Sequence, residues 1–383
     1  MKRTLSLHII LSLLSLIFYS CQGFKQFIEP GKLSESKKDF TGKVDSLVIS
    51  KMNQYNIPGL AIGLVAQDSI IYARGYGIKN IRRSDPVTEN SNFHTASISK
   101  LFTAQAVMML IKKNELSLDE RLLTIIPELK YSDKRVEEIT IRSLLNHSSG
   151  LPDVANYHWR YNNQSDKSLE DYILGLNLKL KWAPSTKYHY SNLGYNILGY
   201  VIEKVTKTSF DLYLKENILN ANGMINSDFR YYKIPDSLKT SPHSKNRITK
   251  KIYKRKTYPY TREQAPGSTL NSSAKDLSKW MISFLKSMDD MNSENAFAKM
   301  TKPSFSSYPH IGLGFQLSKL DGKPTIGHYG GDKGYRSYLL MVPEKKLGLV
   351  LLANCDYNED FRQEIIHPIT KLMLTLNSNM KLQ

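Results

Sequence analysis

Two kinds of hydrophobic pattern alternate along this chain, and the changeovers outline its architecture. The run "GLAIGLVAQDSIIYARGYGI" (59–78) has β-rich apolar stretches on both sides of Gln67-Asp68-Ser69. Two such stretches around a short polar turn predict a hairpin, whose strands are antiparallel. From Ser97 the apolar spacing lengthens to the helical period. "SKLFTAQAVMMLIKKNEL" (99–116), "SNLGYNILGYVIEKVTKTSF" (191–210) and "SAKDLSKWMISFLKSM" (273–288) all read as helices. Strand patterning returns in "GLGFQLSKLDGKPTIGHYG" (312–330) and "YRSYLLMVPEKKLGLVLLAN" (335–354), with turn signals at Asp321-Gly322 and Pro343-Glu344. A helix over "VDSLVISKMNQYNI" (44–57) precedes the first strands. Another over "DFRQEIIHPITKLMLTL" (360–376), broken or kinked at Pro368, closes the chain.

Strands at both ends and helices between them predict an α/β protein of the α+β type. One antiparallel sheet, built from the N- and C-terminal segments and flanked by the terminal helices, would carry a mainly helical lobe over about 101–290. A cleft between lobe and sheet is the natural place for a site. No internal repeat is visible.

The first residues stand outside this fold. "MKRTLSLHIILSLLSLIFYSC" opens on Lys2 and Arg3 and runs apolar to Ser20 and Cys21. A basic start and a short apolar run predict a signal peptide over 1–20. A small residue directly before a cysteine resembles a bacterial lipoprotein signal, although Phe18 stands where leucine is usual. By that resemblance Cys21 is expected to be lipidated, and the protein to cross the inner membrane and be anchored to a membrane on the periplasmic or outer side. Residues 21–42 read as a polar tether, 43–375 as the folded domain, and 376–383 as a tail. Cys355 is the other cysteine, so neither a zinc-type spacing nor a CxxC pair exists, and no metal or cofactor is expected.

Charge adds a second question. The formal net charge is +18, which favours anionic surfaces. Residues 241–262, "SPHSKNRITKKIYKRKTYPYTR", contain no acidic residue. They read as a solvated loop or as a contact to an anionic polymer or membrane. No stacking platform of arginines and aromatics is evident, and no nucleic-acid partner is expected.

Chemistry begins with serine–lysine spacings. SxxK occurs five times, starting at Ser34, Ser97, Ser272, Ser283 and Ser378. At the start of a helix, Ser97 and Lys100 share one face, a turn apart. The helix start would stabilise an alkoxide, and a desolvated Lys100 would accept the serine proton. A helix-capping serine beside a solvated lysine gives the same spacing. The other candidates sit before a helix and at a strand end. In Tyr190-Ser191-Asn192, Tyr190 can shuttle a proton beside a lysine, and the Asn192 amide can hold a substrate amide. In His328-Tyr329-Gly330-Gly331, the small residues Gly330 and Gly331 admit a substrate backbone and His328 can donate to an anion or carbonyl. The Gly331 N–H can pair with that of Ser97 as an oxyanion hole.

The blocks "FHTASISKLFTA", "LLNHSSGLP", "YSNLGYNILGYVIE", "APGSTLNSSAKDLSKW" and "GHYGGDKGYRSYLLMVPEKKLGLVLLAN" occur in the order of the serine β-lactamase superfamily. The chain resembles its class C branch with the related D-alanyl-D-alanine peptidases and esterases, over about 43–375. The resemblance implies Ser97 as acylated nucleophile, Lys100 as its activator and Tyr190 as general base. It gives Asn192 a substrate-positioning role and puts His328 where the family's KTG lysine stands. A serine hydrolase acting through an acyl-enzyme is therefore expected, on a β-lactam, a D-alanyl cell-wall peptide or a small ester. A penicillin-binding-type sensor and an inactive cell-wall peptide-binding protein are the alternatives.

Overall fold

A computed structural model describes residues 35–288, 295–357 and 361–375. The leader, Cys21 and most of the tether lie outside the described residues, as does the tail. The chain divides into two compact units, Met1–Lys43 and Val44–Gln383. In the first, the described residues begin helix α1 (Glu35–Tyr55), so residues 35–42 of the stretch read as tether are helical. All that follows concerns the second. Among the described residues no helix is long and apolar enough to cross a membrane.

The hairpin predicted around Gln67 is β1 (Gly59–Ala66) and β2 (Ser69–Gly77). The C-terminal meander is β3 (Gln316–Leu320), β4 (Lys323–Asp332), β5 (Tyr335–Val342) and β6 (Leu347–Ala353). Asp321 and Gly322, both at positive φ, make the β3–β4 turn. The six strands form one sheet in the order β2-β1-β6-β5-β4-β3, antiparallel throughout. β1 pairs with β6, Leu60 opposite Ala353 through Ala66 opposite Leu347. The two ends of the chain thus meet at the centre of the sheet.

Strands β1 and β6 are buried along almost their whole length, because both faces of the sheet are covered. Ala61, Val65, Leu339, Met341, Val350 and Leu352 join the large core shared with the helices. Their alternates Leu60, Ile62, Leu64, Leu349 and Leu351 are also buried, outside that cluster. Helix α5 (Phe361–Leu374), which runs through Pro368 without a break, packs against β5 and β6.

Helix α4 (Ala274–Ser287) departs from the sequence reading. Its amphipathic pattern placed it in the helical lobe; it lies instead on the sheet, against β1, β2 and β6. Gly63 permits the approach: a Cβ there would stand 2.2 Å from Ser278 Oγ and 2.8 Å from the Ala274 carbonyl. An amphipathic stripe shows that a face is buried but not which partner buries it.

In the lobe, α2 (Ser99–Lys112) is apolar nearly all round and central, with Phe102 against Trp280 at 4.7 Å between ring centroids. Helix α3 (Asn192–Thr206) starts where Ser191 Oγ accepts the Gly194 N–H at 3.1 Å, a serine N-cap.

Candidate active site

Ser97 does not open an α-helix directly. It sits in a 3₁₀ turn, Ala96–Ile98, and α2 begins at Ser99. Ala96 is left-handed, with φ +50°, a conformation that costs a residue with a Cβ roughly 1 kcal/mol or more. Within 91–100, Ser97 alone is not fully buried. The strained turn holds one hydroxyl at the rim of an otherwise closed wall.

Lys100 lies one turn on and is wholly buried. Its Nζ is 2.6 Å from Asn192 Oδ1, 2.6 Å from the Gly267 carbonyl and 3.2 Å from Ser97 Oγ. Burial lowers its pKa to about 7, against a partial upward pull from the Asp332 and Asp153 carboxylates. A neutral amine has two N–H bonds and one lone pair. The two short contacts to carbonyl oxygens use the hydrogens, which leaves the lone pair for the longer contact, toward Ser97 Oγ. Tyr190 donates to the same oxygen from its hydroxyl at 2.9 Å. Burial raises the Tyr190 pKa well above that of a free phenol, although the Ser97 contact eases it. With Lys100 neutral, the network runs Tyr190 O–H to Ser97 O–H to Lys100 N.

The Asn192 amide is fully engaged within the protein. Its Oδ1 accepts from Lys100, and its Nδ2 donates to Asp153 Oδ1 at 3.0 Å and to the Tyr157 hydroxyl at 2.8 Å. Its visible work is to hold Lys100, whereas the sequence suggested a contact to substrate. His147 supports Tyr190 from behind, its ring 4.3 Å away between centroids. Its backbone is left-handed, at φ +59°, and the Ser191 N–H donates to its Nδ1 at 3.2 Å.

Strand β4 forms the other wall. His328 is buried, its Nδ1 2.6 Å from the Tyr329 carbonyl and its ring 6.1 Å from that of Tyr190. An acceptor beside Nδ1 fixes the proton there, so Nε2 is a bare lone pair and has no partner in the protein. Burial and the neighbouring Lys100 lower the His328 pKa to about 3. The sequence expectation of a donor at this position is therefore corrected: the unpartnered ring nitrogen is an acceptor, and it is buried.

Gly330 serves the protein's own packing. A Cβ would stand 2.3 Å from the Thr95 carbonyl and 2.1 Å from Ser337 Oγ, so its absence lets β4 lie against the turn that carries Ser97. Gly331 is exposed. The Tyr329 N–H reaches the β3 side, where it donates to Gln316 Oε1 at 3.1 Å. The Gly331 N–H, two residues on, points to the same side. The β3–β4 pairing stops at Gly327, so this N–H faces the opening.

The structure thus brings Ser97, Lys100, Tyr190, Asn192, His328, Gly330 and Gly331 to one site. Sequence reading gave no role to Gly267, Asp153 or His147, although each lies in or next to a quoted block. A backbone carbonyl leaves no residue signature. The basic segment 241–262 divides: His243, Ser244, Tyr260, Thr261 and Arg262 are buried, and residues 245–256 form the outer part of a hairpin at the surface. Among the described residues, no group of three or more His, Cys, Asp or Glu is placed to hold a metal.

A model of the Beta-lactamase family matches residues 44–371. The chain belongs to the β-lactamase family. Protein flp of Staphylococcus aureus (strain MW2) is 24% identical over 330 residues, covering 82% of this chain and 63% of that protein. A penicillin-binding protein of Bacillus subtilis (strain 168) is 25% identical over 319 residues, covering 78% of this chain and 68% of that one. The fold also matches the octameric penicillin-binding protein homologue from Pyrococcus abyssi, with TM-score 0.74 and 25% identity over 87% of this chain and 77% of that one. A class C β-lactamase mutant matches with TM-score 0.73 and 20% identity, over 89% and 99%. This member of the β-lactamase family spans about 63% of the length of Protein flp. It has the serine hydrolase fold of β-lactamases and penicillin-binding proteins.

Proposed function

We propose that this protein is a serine hydrolase that works through an acyl-enzyme on Ser97. The carrying observation is that one half-exposed hydroxyl oxygen meets both the Tyr190 hydroxyl and an amine whose pKa lies at about 7. Ser97 Oγ attacks the carbonyl carbon as its proton passes to the Lys100 lone pair. The Ser97 and Gly331 N–H groups hold the tetrahedral oxyanion. Tyr190 gives its proton to the leaving group and takes one from Lys100. Concerted relay suits a phenol too weakly acidic to wait as phenolate. In deacylation water returns a proton through Tyr190 to Lys100 as its oxygen attacks. Ser97 then leaves the carbonyl and recovers its proton from Lys100.

His328 biases substrate choice. A neutral acceptor welcomes an N–H or O–H donor and repels a carboxylate. Esters or amides without a carboxylate beside the leaving group are favoured over β-lactams. The leader and Cys21 set this chemistry outside the cytoplasm, at a membrane surface.

The test is a panel of p-nitrophenyl esters, D-alanyl-D-alanine peptides and nitrocefin, beside labelling by a fluorophosphonate. Ester turnover leading the panel is expected, with labelling abolished in Ser97→Ala. Undiminished labelling of that variant would refute the nucleophile. A single burst without turnover would make the protein an acylable sensor.

A further inference from the structure

The hairpin His243–Lys245 and Ile252–Lys254 stands beside the β4–β5 turn. Between them opens a cavity of about 700 Å³. Arg247, Lys250, Arg255 and Lys333 line it, and the one acidic side chain among its described lining residues is Asp356. That carboxylate is already engaged, by Ser244 Oγ at 2.7 Å, the Gly334 N–H at 2.7 Å and Arg255 at 3.8 Å. Arg247 and Lys250 are exposed at the hairpin tip. Cations held together around a concave, polar wall repel one another unless an anion joins them.

The cavity's place relative to Ser97 is set by β4. Lys333 follows Gly331 by two residues, about 7 Å at strand rise. Its ammonium stands 5.4 Å from the Trp159 ring, and Trp159 packs on Tyr157, which touches Asn192. Tyr190 lies by His328, which precedes Gly331 by three residues on β4, in the opposite strand direction from Lys333. Since Tyr190 serves the leaving group, the direction past Gly331 toward Lys333 belongs to the acyl part.

We infer that this basic cavity is an acyl-side subsite for an anionic group, a carboxylate or phosphate at the far end of the substrate's acyl chain. The inference rests on the hydrolase reading for its orientation. It complements the His328 wall: cationic recognition is missing beside the leaving group and present beyond the acyl carbon.

Two esters of equal length separate the possibilities, p-nitrophenyl octanoate and mono-p-nitrophenyl suberate, the latter ending in a carboxylate. The wild type should prefer the suberate in kcat/KM at low salt, and the preference should fade as salt is added. Arg247→Glu with Lys250→Glu should raise KM for the suberate by about tenfold with kcat unchanged. The octanoate should be hydrolysed as before. No preference for the suberate, or equal losses on both esters, would overturn the subsite. If neither ester is turned over, calorimetry with inorganic tripolyphosphate reads the cavity directly. Binding that the double variant loses would uphold the anion site while the hydrolase reading falls. Absence of binding, or binding only to phosphatidylglycerol vesicles, would overturn it in favour of bare surface charge or a membrane contact.

Discussion

Lys100 and Arg262 are both buried cations, and their surroundings treat them in opposite ways. Arg262, 1% exposed, lies in the lobe with Nε 2.7 Å from Asp211 and Nη2 2.6 Å from Glu203. Burial pulls its pKa down, but Asp211 and Glu203 more than offset that, and the net shift is upward. Lys100 has only neutral oxygens in contact, from Asn192, Gly267 and Ser97. Desolvation therefore wins, and its pKa comes down to about 7. Burial alone does not make a base. A buried cation matched by carboxylates keeps its charge and ties helices together, whereas one matched by amide oxygens surrenders its proton near neutral pH.

Replacing Lys100 with arginine breaks the comparison most directly. Guanidinium stays protonated, so ester hydrolysis should fall by about a thousandfold, at the scale of a lost general base. The pH profile separates this from simple misfit. In the wild type, the neutral amine fraction grows as pH rises, so turnover should climb through about pH 7. That limb should vanish in Lys100→Arg and persist in His328→Gln, since His328, held down to about 3, is already neutral there. A limb that disappears with His328 would reassign the base.

Arg262→Met should leave the pH limb in place and cost stability instead, about 3–5 kcal/mol, because two carboxylates are left buried without their partner. Urea unfolding measures it; an unchanged midpoint would mean that water replaces the guanidinium. The smallest effect sharpens the comparison from the Lys100 side. Asp153 pulls the Lys100 pKa upward. Asp153→Asn keeps an acceptor for Asn192 but removes the charge, so the rise in turnover should move to lower pH. A shift to higher pH would show that the carboxylate does not act through charge.

Much of the frame was legible because its signals are local. The turn at Gln67-Asp68, the Asp321-Gly322 turn and the start of the helix after Tyr190 each depend on a few neighbouring residues, and each stands where the pattern put it. Two of the misreadings concern contacts between distant segments. Helix α4 carries the same amphipathic stripe whether it faces sheet or lobe, and the lack of side chains at Gly63 and Gly348 admits it to the sheet. The run 241–262 looked uniformly basic, yet Arg262 serves the interior and Arg247 the surface. The misreading of His328 is of another kind: its Nδ1 lies against the carbonyl of the very next residue, Tyr329, and the side-chain rotamer that puts it there leaves no mark in the residue pattern.

What the sequence by itself determined is the alternation of strand, helix and strand, and the residue types that five ordered motifs carry. These follow from side-chain period and turn chemistry, which act over a few residues. The tertiary structure alone decided the protonation of those residues. Gly267 and Asn192, 167 and 92 positions away from Lys100, bring only neutral oxygens to it. Desolvation depends on what fills the surrounding space, and no stretch of sequence states that.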